Sequence, residues 1–382
     1  MSKKVLIVSQ VIPQWYVDLL TSALPEGTHI DIITGSKVRG NVIASPMHNP
    51  KSFLSRLVCW AKHYIFMRKW IRQNKPEHYD LIFAVSNPPV NTFIGLKLKK
   101  VFKAPFVFMN WDIYPQFIDL SIKNPLVHFV CKLWNSWNNK NYKKIDKMLT
   151  IGNVVAESIN TDLQNKIDID VIPIAVDTNK LKPIEKKDNL FIKQNGLEDK
   201  FIVLYSGKMG YGHNIELILN AAKALREHSD IKFVFIGEGQ KYDLVKAAAD
   251  DSQNTNIMLF DLQPDDIFPF SMACGDIGVV AEEEKMAHLF MPSKTYSMMA
   301  CGMAILGICS NHDDLYNLIT QENIGCAVTD NDVNLVCDFI LEQYQDKQKL
   351  QEQQKAARAC AETVYDTAVI QKQYKKLFEK YL

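Results

Sequence analysis

The chain is short of the signatures that mark several common protein classes. None of its eight cysteines, at 59, 131, 274, 301, 309, 326, 337 and 360, forms a C-x-x-C pair. Most sit in apolar runs such as Met299-Ala-Cys-Gly302, the pattern of reduced core thiols in a cytoplasmic protein. No window supplies the roughly eighteen uncharged apolar residues that a membrane-spanning helix needs. The opening apolar run, Val5 to Ser9, is soon cut by Gln10 and Pro13, so it reads as a first strand and not as a signal peptide. There is no G-x-x-x-x-G-K-S/T, and Gly207, Gly210 and Gly212 do not match G-x-G-x-x-G, so neither a P-loop nor a dinucleotide fingerprint is present. Asp168-Ile-Asp170, a D-x-D, falls inside a predicted strand, so no metal site is expected from it. No low-complexity segment and no DNA- or RNA-binding motif occurs, and nucleic acid is not an expected partner.

What is present is a soluble-protein composition, 47% hydrophobic and 23% charged, over 382 residues. That length favours two domains. The net charge of +1 hides a division: residues 1–150 hold 21 Lys and Arg against 8 Asp and Glu, and the remainder holds 23 against 35. Such segregation suggests that the first half faces an anionic surface.

Both halves alternate strands and helices. In the first, strands are expected at Val5–Ser9, His29–Thr34, Tyr79–Val85, Pro105–Met109, Lys147–Ile151 and Ile169–Pro173, with a helix from Trp15 to Leu24. A linker with Asp177 and Pro183 follows at about 176–200. In the second half, strands are expected at Phe201–Tyr205, Phe233–Ile236, Ile257–Phe260, Ile277–Val280 and Ala304–Gly307. The pattern implies two parallel sheets covered by helices, α/β in class, facing each other across a cleft. The expected divisions are an N-terminal domain at 1–182, a C-terminal domain at 183–361, and a helix at 362–382 packing back on the first domain.

The most informative stretch is Val203-Leu-Tyr-Ser-Gly-Lys-Met-Gly-Tyr-Gly-His213. An apolar run ends in a glycine-rich turn and an amphipathic helix follows, the layout of a phosphate cradle. An ordinary βα turn with a solvated lysine is the alternative. Gly237-Glu-Gly-Gln240 follows the next strand, and Phe260-Asp-Leu-Gln-Pro264 the one after it. In Pro292-Ser-Lys-Thr295 a helix start carries two hydroxyls and a lysine, which suggests a second anion site; a plain capped helix is the alternative. Two anion sites in one domain fit a diphosphate.

In this order, Tyr205–His213, Phe235-Ile-Gly-Glu-Gly239, Pro292-Ser-Lys294 and Met299-Ala-Cys-Gly302 resemble the nucleotide-sugar domain of retaining glycosyltransferase family 4, in its Pro-Ser-Lys variant from bacterial surface polysaccharide assembly. Val171-Ile-Pro-Ile-Ala-Val-Asp177 resembles the family's strand end before the linker. Asn87-Pro-Pro89 and Asp112-Ile-Tyr-Pro115 resemble the branch that acts on lipid-linked or polysaccharide acceptors. The resemblance covers essentially the whole chain and implies the GT-B fold, two facing Rossmann-like domains. It implies transfer from a nucleoside diphosphate sugar, a UDP-sugar favoured, with retention and without cofactor or metal. Lys208, Asp112 and His213 are the implied catalytic residues. Gly207, Gly210, Gly237, Glu238, Gly239, Leu262, Ser293, Lys294, Thr295 and Glu283 are the implied donor-binding residues.

The chain departs from the family pattern at several points. Lys208 replaces the usual arginine, and His213 stands at the position of a lysine. The paired glutamates fall on Leu289 and Ser297, and Pro13-Gln-Trp15 occupies the place of an N-terminal Gly-Gly loop. The run Glu282-Glu-Glu284 lies near enough to stand in for the glutamates, or is a solvated charge run. Two other readings stay open: a nucleotide-sugar 2-epimerase, and an inactive GT-B partner subunit at a membrane.

Residues 51–75 carry seven lysines and arginines and no acid, interleaved with Phe53, Trp60, Tyr64, Phe66 and Trp70. A second such stretch, Lys123 to Lys147, holds Trp134 and Trp137. Helices of this kind suit the interface of an anionic membrane, and a domain-packing helix is the alternative. The expectation is a cytoplasmic protein held peripherally at the inner face of the plasma membrane, working on a lipid-linked glycan acceptor.

Overall fold

The computed structural model describes residues 2–49, 53–161, 163, 166–286, 288–329 and 331–382. The chain forms two compact units, Met1–Pro173 with Ala368–Leu382, and Ile174–Thr367.

The first unit is built on strands β1 (Lys4–Val8), β2 (His29–Thr34), β3 (Asn41–Ala44), β4 (Leu81–Val85), β5 (Phe106–Asn110), β6 (Lys147–Thr150) and β7 (Ile169–Val171). They pair in the order β3-β2-β1-β4-β5-β6-β7, every pair parallel. The central strands β4 and β5 are buried at every residue, as helices on both faces require of a parallel sheet. The helices are α1 (Gln14–Ala23), α2 (Phe53–Gln73), α3 (Asn91–Phe102), α4 (Gln116–Ser121), α5 (Pro125–Asn141) and α6 (Asn153–Thr161). Strand β3 was not expected from the sequence; it is a four-residue edge strand with no buried residue, so its run carries little apolar signal. Asp168, just before β7, and Asp170, within it, are partners of Lys147, whose ammonium lies 2.6 Å from Asp170.

The second unit has helix α7 (Leu190–Gln194) and strands β8 (Phe201–Ser206), β9 (Ile231–Ile236), β10 (Ile257–Phe260), β11 (Ile277–Ala281), β12 (Ala304–Ile308) and β13 (Gly325–Val328). Their order is β10-β9-β8-β11-β12-β13, again parallel throughout. Helices α8 (Ile215–Ala224), α9 (Tyr242–Ala249), α10 (Phe268–Met272), α11 (Lys294–Ala300), α12 (Asp314–Glu322), α13 (Val333–Gln345) and α14 (Lys347–Cys360) alternate with or follow them. The short β13 was also missed. It starts on Gly325, where a Cβ would stand 1.8 Å from the Ile305 carbonyl oxygen, so only glycine lets it pair with β12. The strand order reverses between β8 and β11, which are neighbours although three crossovers separate them. Loops leaving their carboxyl ends therefore diverge and open a crevice, the place where parallel sheets bind ligands.

The unit boundaries differ from those expected. Residues 174–182 belong to the second unit because Arg358 ties them there, donating from Nη2 to Thr178 O at 3.0 Å and from Nη1 to Leu181 O at 2.9 Å. Val176 also bonds backbone to backbone with Tyr365 and Thr367. The C-terminal helix does not begin at 362: Ala361–Tyr365 closes α14 with a wider turn, Asp366 is extended at ψ 144°, and helix α15 runs Thr367–Tyr381. Helix α15 packs on the first sheet, with Tyr374 Oη 2.8 Å from Tyr16 Oη and the Phe378 and Phe83 rings 5.9 Å apart.

The tryptophans and the exposed apolar residues of the basic-aromatic helices lie in different settings. Lys51, Ser52 and the Phe53 side chain lie outside the described residues. Trp60 is buried edge-on to Tyr114, and Trp70 is buried against Tyr79 and Phe102. Trp137 stacks on Phe93 at 3.9 Å, and Trp134 stacks on Tyr114. The four tryptophans are thus spent on internal packing. The exposed apolar groups are instead Leu57, Val58 and Ile65 on α2 and Leu126, Phe129, Val130 and Leu133 on α5, the last four at helical spacing on one face. Trp60 of α2 and Cys131 of α5 share one buried cluster, so the two helices are neighbours. Among the described residues no helix is long and apolar enough to cross a membrane.

Candidate active site

The glycine-rich loop leaves β8 at the switch point and is built by close backbone approach. Gly207 N donates to Ile236 O at 2.8 Å, and Met209 N to Glu238 O at 2.7 Å, so the turn after β8 is laced to the turn after β9. That contact needs Gly237 and Gly239, with φ at +155° and +138°. A Cβ on Gly237 would stand 1.9 Å from Gly207 O, and one on Gly239 2.5 Å from Met209 O. The N–H groups of Lys208, Gly210 and Gly212 donate to no other group among the described residues, leaving them for an incoming anion. Asn214 caps α8 by accepting from Leu217 N at 3.2 Å.

Tyr205, the penultimate residue of β8, organises the loop. Its hydroxyl donates to Lys208 O at 2.8 Å and lies 2.6 Å from His213 Nδ1. Lys294, the first residue of α11, donates to the same hydroxyl at 2.9 Å. Its ammonium also sits 4.0 Å from the centre of the Tyr205 ring and beside Gly207, where a Cβ would come within 3.7 Å of it. The structure therefore brings together Gly207, Lys208, His213 and Lys294. Burial lowers the Lys294 ammonium to about 7, against the attraction of Glu282. Burial, reinforced by Lys294, holds the His213 imidazole down to about 4. His213 is therefore neutral near pH 7 and brings no charge to the loop.

The other expected residues fall in varied settings. Lys208 is exposed and makes no ion pair among the described residues. Glu238 and Ser293 are exposed, and Leu262 stands 54% exposed after β10. Thr295 is fully buried, with its hydroxyl unpartnered. Gly210 lies open beside Gln240. Glu283 is held by Lys241, at 3.0 Å; Lys241 also reaches Glu216 at 2.6 Å and donates to His213 O at 2.7 Å. Lys241 thereby pins the end of the glycine-rich loop to the turns after β9 and β11.

In the first unit, Asp112 follows β5 and is half-buried. Burial raises its carboxyl to about 6, while Arg56 pulls the other way. Nearby His63 is fully buried between Ser45 and Asn91, at 3.3 and 3.1 Å.

Sequence reasoning gave no role to Tyr205, Lys241 or Arg56. Tyr205 reads as one more aromatic in an apolar strand, and Lys241 as one more surface lysine after a turn. Only the position of Tyr205 immediately before the glycine-rich turn marked it.

Residues 186–359 match the family model for glycosyl transferases group 1. The chain is 26% identical over 293 residues to the probable glycosyltransferase WbjE of Pseudomonas aeruginosa, covering 75% of this chain and 71% of that one. It is 30% identical over 105 residues to the putative colanic acid biosynthesis glycosyl transferase WcaI of Escherichia coli K12, covering 28% of this chain and 26% of that one. In fold it is similar to Anabaena Alr3699/HepE, crystallised in complex with UDP and glucose, at a TM-score of 0.73 and 15% identity, with 99% of this chain and 100% of that one covered.

Proposed function

We propose, from the premise that this chain is a glycosyltransferase whose second unit is a glycosyl transferases group 1 domain, that it moves a sugar from a nucleoside diphosphate to a lipid-linked or polysaccharide acceptor in surface glycan synthesis. A UDP-sugar is the favoured donor, in keeping with the UDP bound by Alr3699/HepE. A polysaccharide product is in keeping with the colanic acid role printed for WcaI. The observation that carries the reading is Lys294, half-buried at the switch point beside Gly207 and aimed by Tyr205.

The chemistry asks for positive charge where the sugar–phosphate bond breaks. Lys294, Lys208 and the N–H groups of the glycine-rich loop would take up the charge that develops on the leaving diphosphate. No metal is called for in this scheme. Reaction is with retention, the leaving phosphate helping to deprotonate the acceptor. Asp112 would orient the acceptor hydroxyl, and its carboxyl, raised to about 6, is ionised near neutrality. The exposed apolar and basic faces of α2 and α5 would hold the enzyme at the cytoplasmic face of an anionic membrane.

The direct test is a thermal-shift screen of nucleoside diphosphates and their sugars, followed by product analysis. A ligand at a hundred times its dissociation constant stabilises by about 2.7 kcal/mol. Stabilisation by a UDP-sugar, with an axial or equatorial product linkage matching the donor, supports the reading. No shift with any nucleotide sugar overturns it.

A further inference from the structure

The second unit holds a cleft at the end of its sheet opposite the glycine-rich turn. Phe201 opens β8 and Asp276 stands one residue before β11, and both line this cleft of about 360 Å³. Helices α13 and α14 line it with Gln343, Tyr344, Leu350, Gln351 and Gln354. The volume is that of a small-molecule site. Gln343 is 0% exposed, and neither its amide oxygen nor its amide nitrogen makes a hydrogen bond. A leucine there would fill similar space and strand no polar group. Buried amides are ordinarily satisfied, so one left open on both atoms against a cleft points to a ligand. The Gln354 amide nitrogen donates to Asp276 O at 3.1 Å, and its oxygen takes no donor among the described residues. Gln351, three residues earlier on α14, is exposed and unpaired among the described residues.

The lining narrows that ligand. Lys186 is held by Asp276 at 2.6 Å and Lys200 by Asp230 at 2.8 Å, so both cations are already neutralised. The remaining lining charges, Glu198, Asp199 and Lys347, are exposed and of both signs. An anion therefore finds no excess of positive charge there. Each free amide sets a donor beside an acceptor. Tyr344, half-buried with its ring 5.6 Å from that of Phe201, adds apolar surface. Adjacent hydroxyls, each donor and acceptor, on a ring with an apolar C–H face match amides beside an aromatic. A nucleobase edge would pair with one amide and leave the others unused. We propose that this cleft binds a neutral sugar unit of a glycan through Gln343, Gln351 and Gln354. It gives the second unit a hold on a glycan at the end of the sheet away from the glycine-rich turn, and it does not depend on the donor site proposed above.

The experiment is saturation-transfer NMR on the full chain, with glucose, galactose and cellobiose as probes and adenosine and uridine alongside them, in the presence and absence of UDP. The expected result is that at least one of the three sugars takes up saturation, equally with and without UDP. Its affinity should fall about tenfold in Gln343→Leu and about threefold in Gln351→Ala, as loss of buried and of exposed hydrogen bonds would give. Gln343→Leu should also melt at or above the parent, because it removes the stranded amide. Sugar binding unchanged in both variants places the sugar elsewhere and overturns the proposal. A parent that binds none of the sugars, or that binds a nucleoside alone, overturns it too. So does a clear fall in the melting temperature of Gln343→Leu, because the amide is then satisfied within the fold and awaits no ligand.

Discussion

The Lys294 ammonium lies 2.9 Å from the Tyr205 hydroxyl and 4.0 Å from the centre of the same ring. One phenol thus holds the cation by hydrogen bond and by the ring's negative face, while also tying down Lys208 O and facing His213. A half-buried lysine is placed over a glycine-rich turn with little freedom left to lose on binding an anion.

Replacing Lys294 with alanine should weaken UDP binding by roughly 1.5–3 kcal/mol, the range for a charge-assisted bond in a partly buried site. Lys208→Ala should cost less, about 1 kcal/mol or below, because Lys208 is exposed. Tyr205→Phe should fall near 1 kcal/mol. Calorimetry with UDP ranks the three, and equal affinity in Lys294→Ala and the parent would falsify the assignment.

The pH dependence follows from two shifted groups. Lys294 titrates near 7, so its charge, and with it UDP affinity, should decline as pH rises through 7. Asp112 titrates near 6, so transfer should rise as pH climbs through 6. The kcat/KM profile should therefore be bell-shaped, and Asp112→Asn should remove its acid limb. For stability the sign is separate. The folded value for Lys294 lies below the unfolded value of about 10.4. The unfolded chain therefore binds more protons between about 7 and 10.4, and the contribution of this group to stability increases with pH across that window. A Lys294→Met variant whose stability follows the same pH curve as the parent would contradict this.

Gly237→Ala should destabilise the second unit by about 1–3 kcal/mol and abolish UDP binding, since its φ of +155° and the 1.9 Å approach to Gly207 O leave no room for a methyl group. Gly212→Ala meets nothing nearer than 3.7 Å and should melt close to the parent. Thermal melts of both, with and without UDP, separate strain from loss of ligand contact. Similar melting of the two alanine variants would count against the role given to Gly237.

Reversing Arg68, Lys69 and Arg72 to glutamate, or changing Leu126, Phe129 and Leu133 to serine, should cut co-sedimentation with anionic vesicles at low salt. Each basic residue near such a surface contributes about 1 kcal/mol. UDP affinity should not change. Sedimentation equal to the parent in both variants would leave the exposed face of α2 and α5 without a membrane role.

Turnover should persist in EDTA, because cationic side chains and loop N–H groups supply the charge needed at the diphosphate. Loss of activity in chelator that magnesium or manganese restores would show that a metal shares this task.

Much of the architecture was written locally. The apolar runs that became β4, β5, β8 and β11 are continuous because both faces of a parallel sheet are covered, and continuity is visible in one dimension. The glycines of the donor loops were legible too, since glycine-rich turns after strands are a local signal. Short edge strands were not: Asn41–Ala44 and Gly325–Val328 are strands only because a neighbour offers its edge. The tryptophans of α2 and α5 looked like an interfacial belt, yet the choice between packing inward and facing out depends on what stands opposite, such as Tyr114 or Phe93. The same holds for the acidic run at 282–284. Sequence spacing treats its three glutamates alike, whereas the fold buries Glu282 beside Asp313, pairs Glu283 with Lys241 and leaves Glu284 exposed. The apolar runs of the central strands and the glycine-rich turns rest on neighbours along the chain, so the sequence alone determined them; the edge strands, and charge, burial and partnership at the site, rest on residues distant in sequence, and only the tertiary structure decided those.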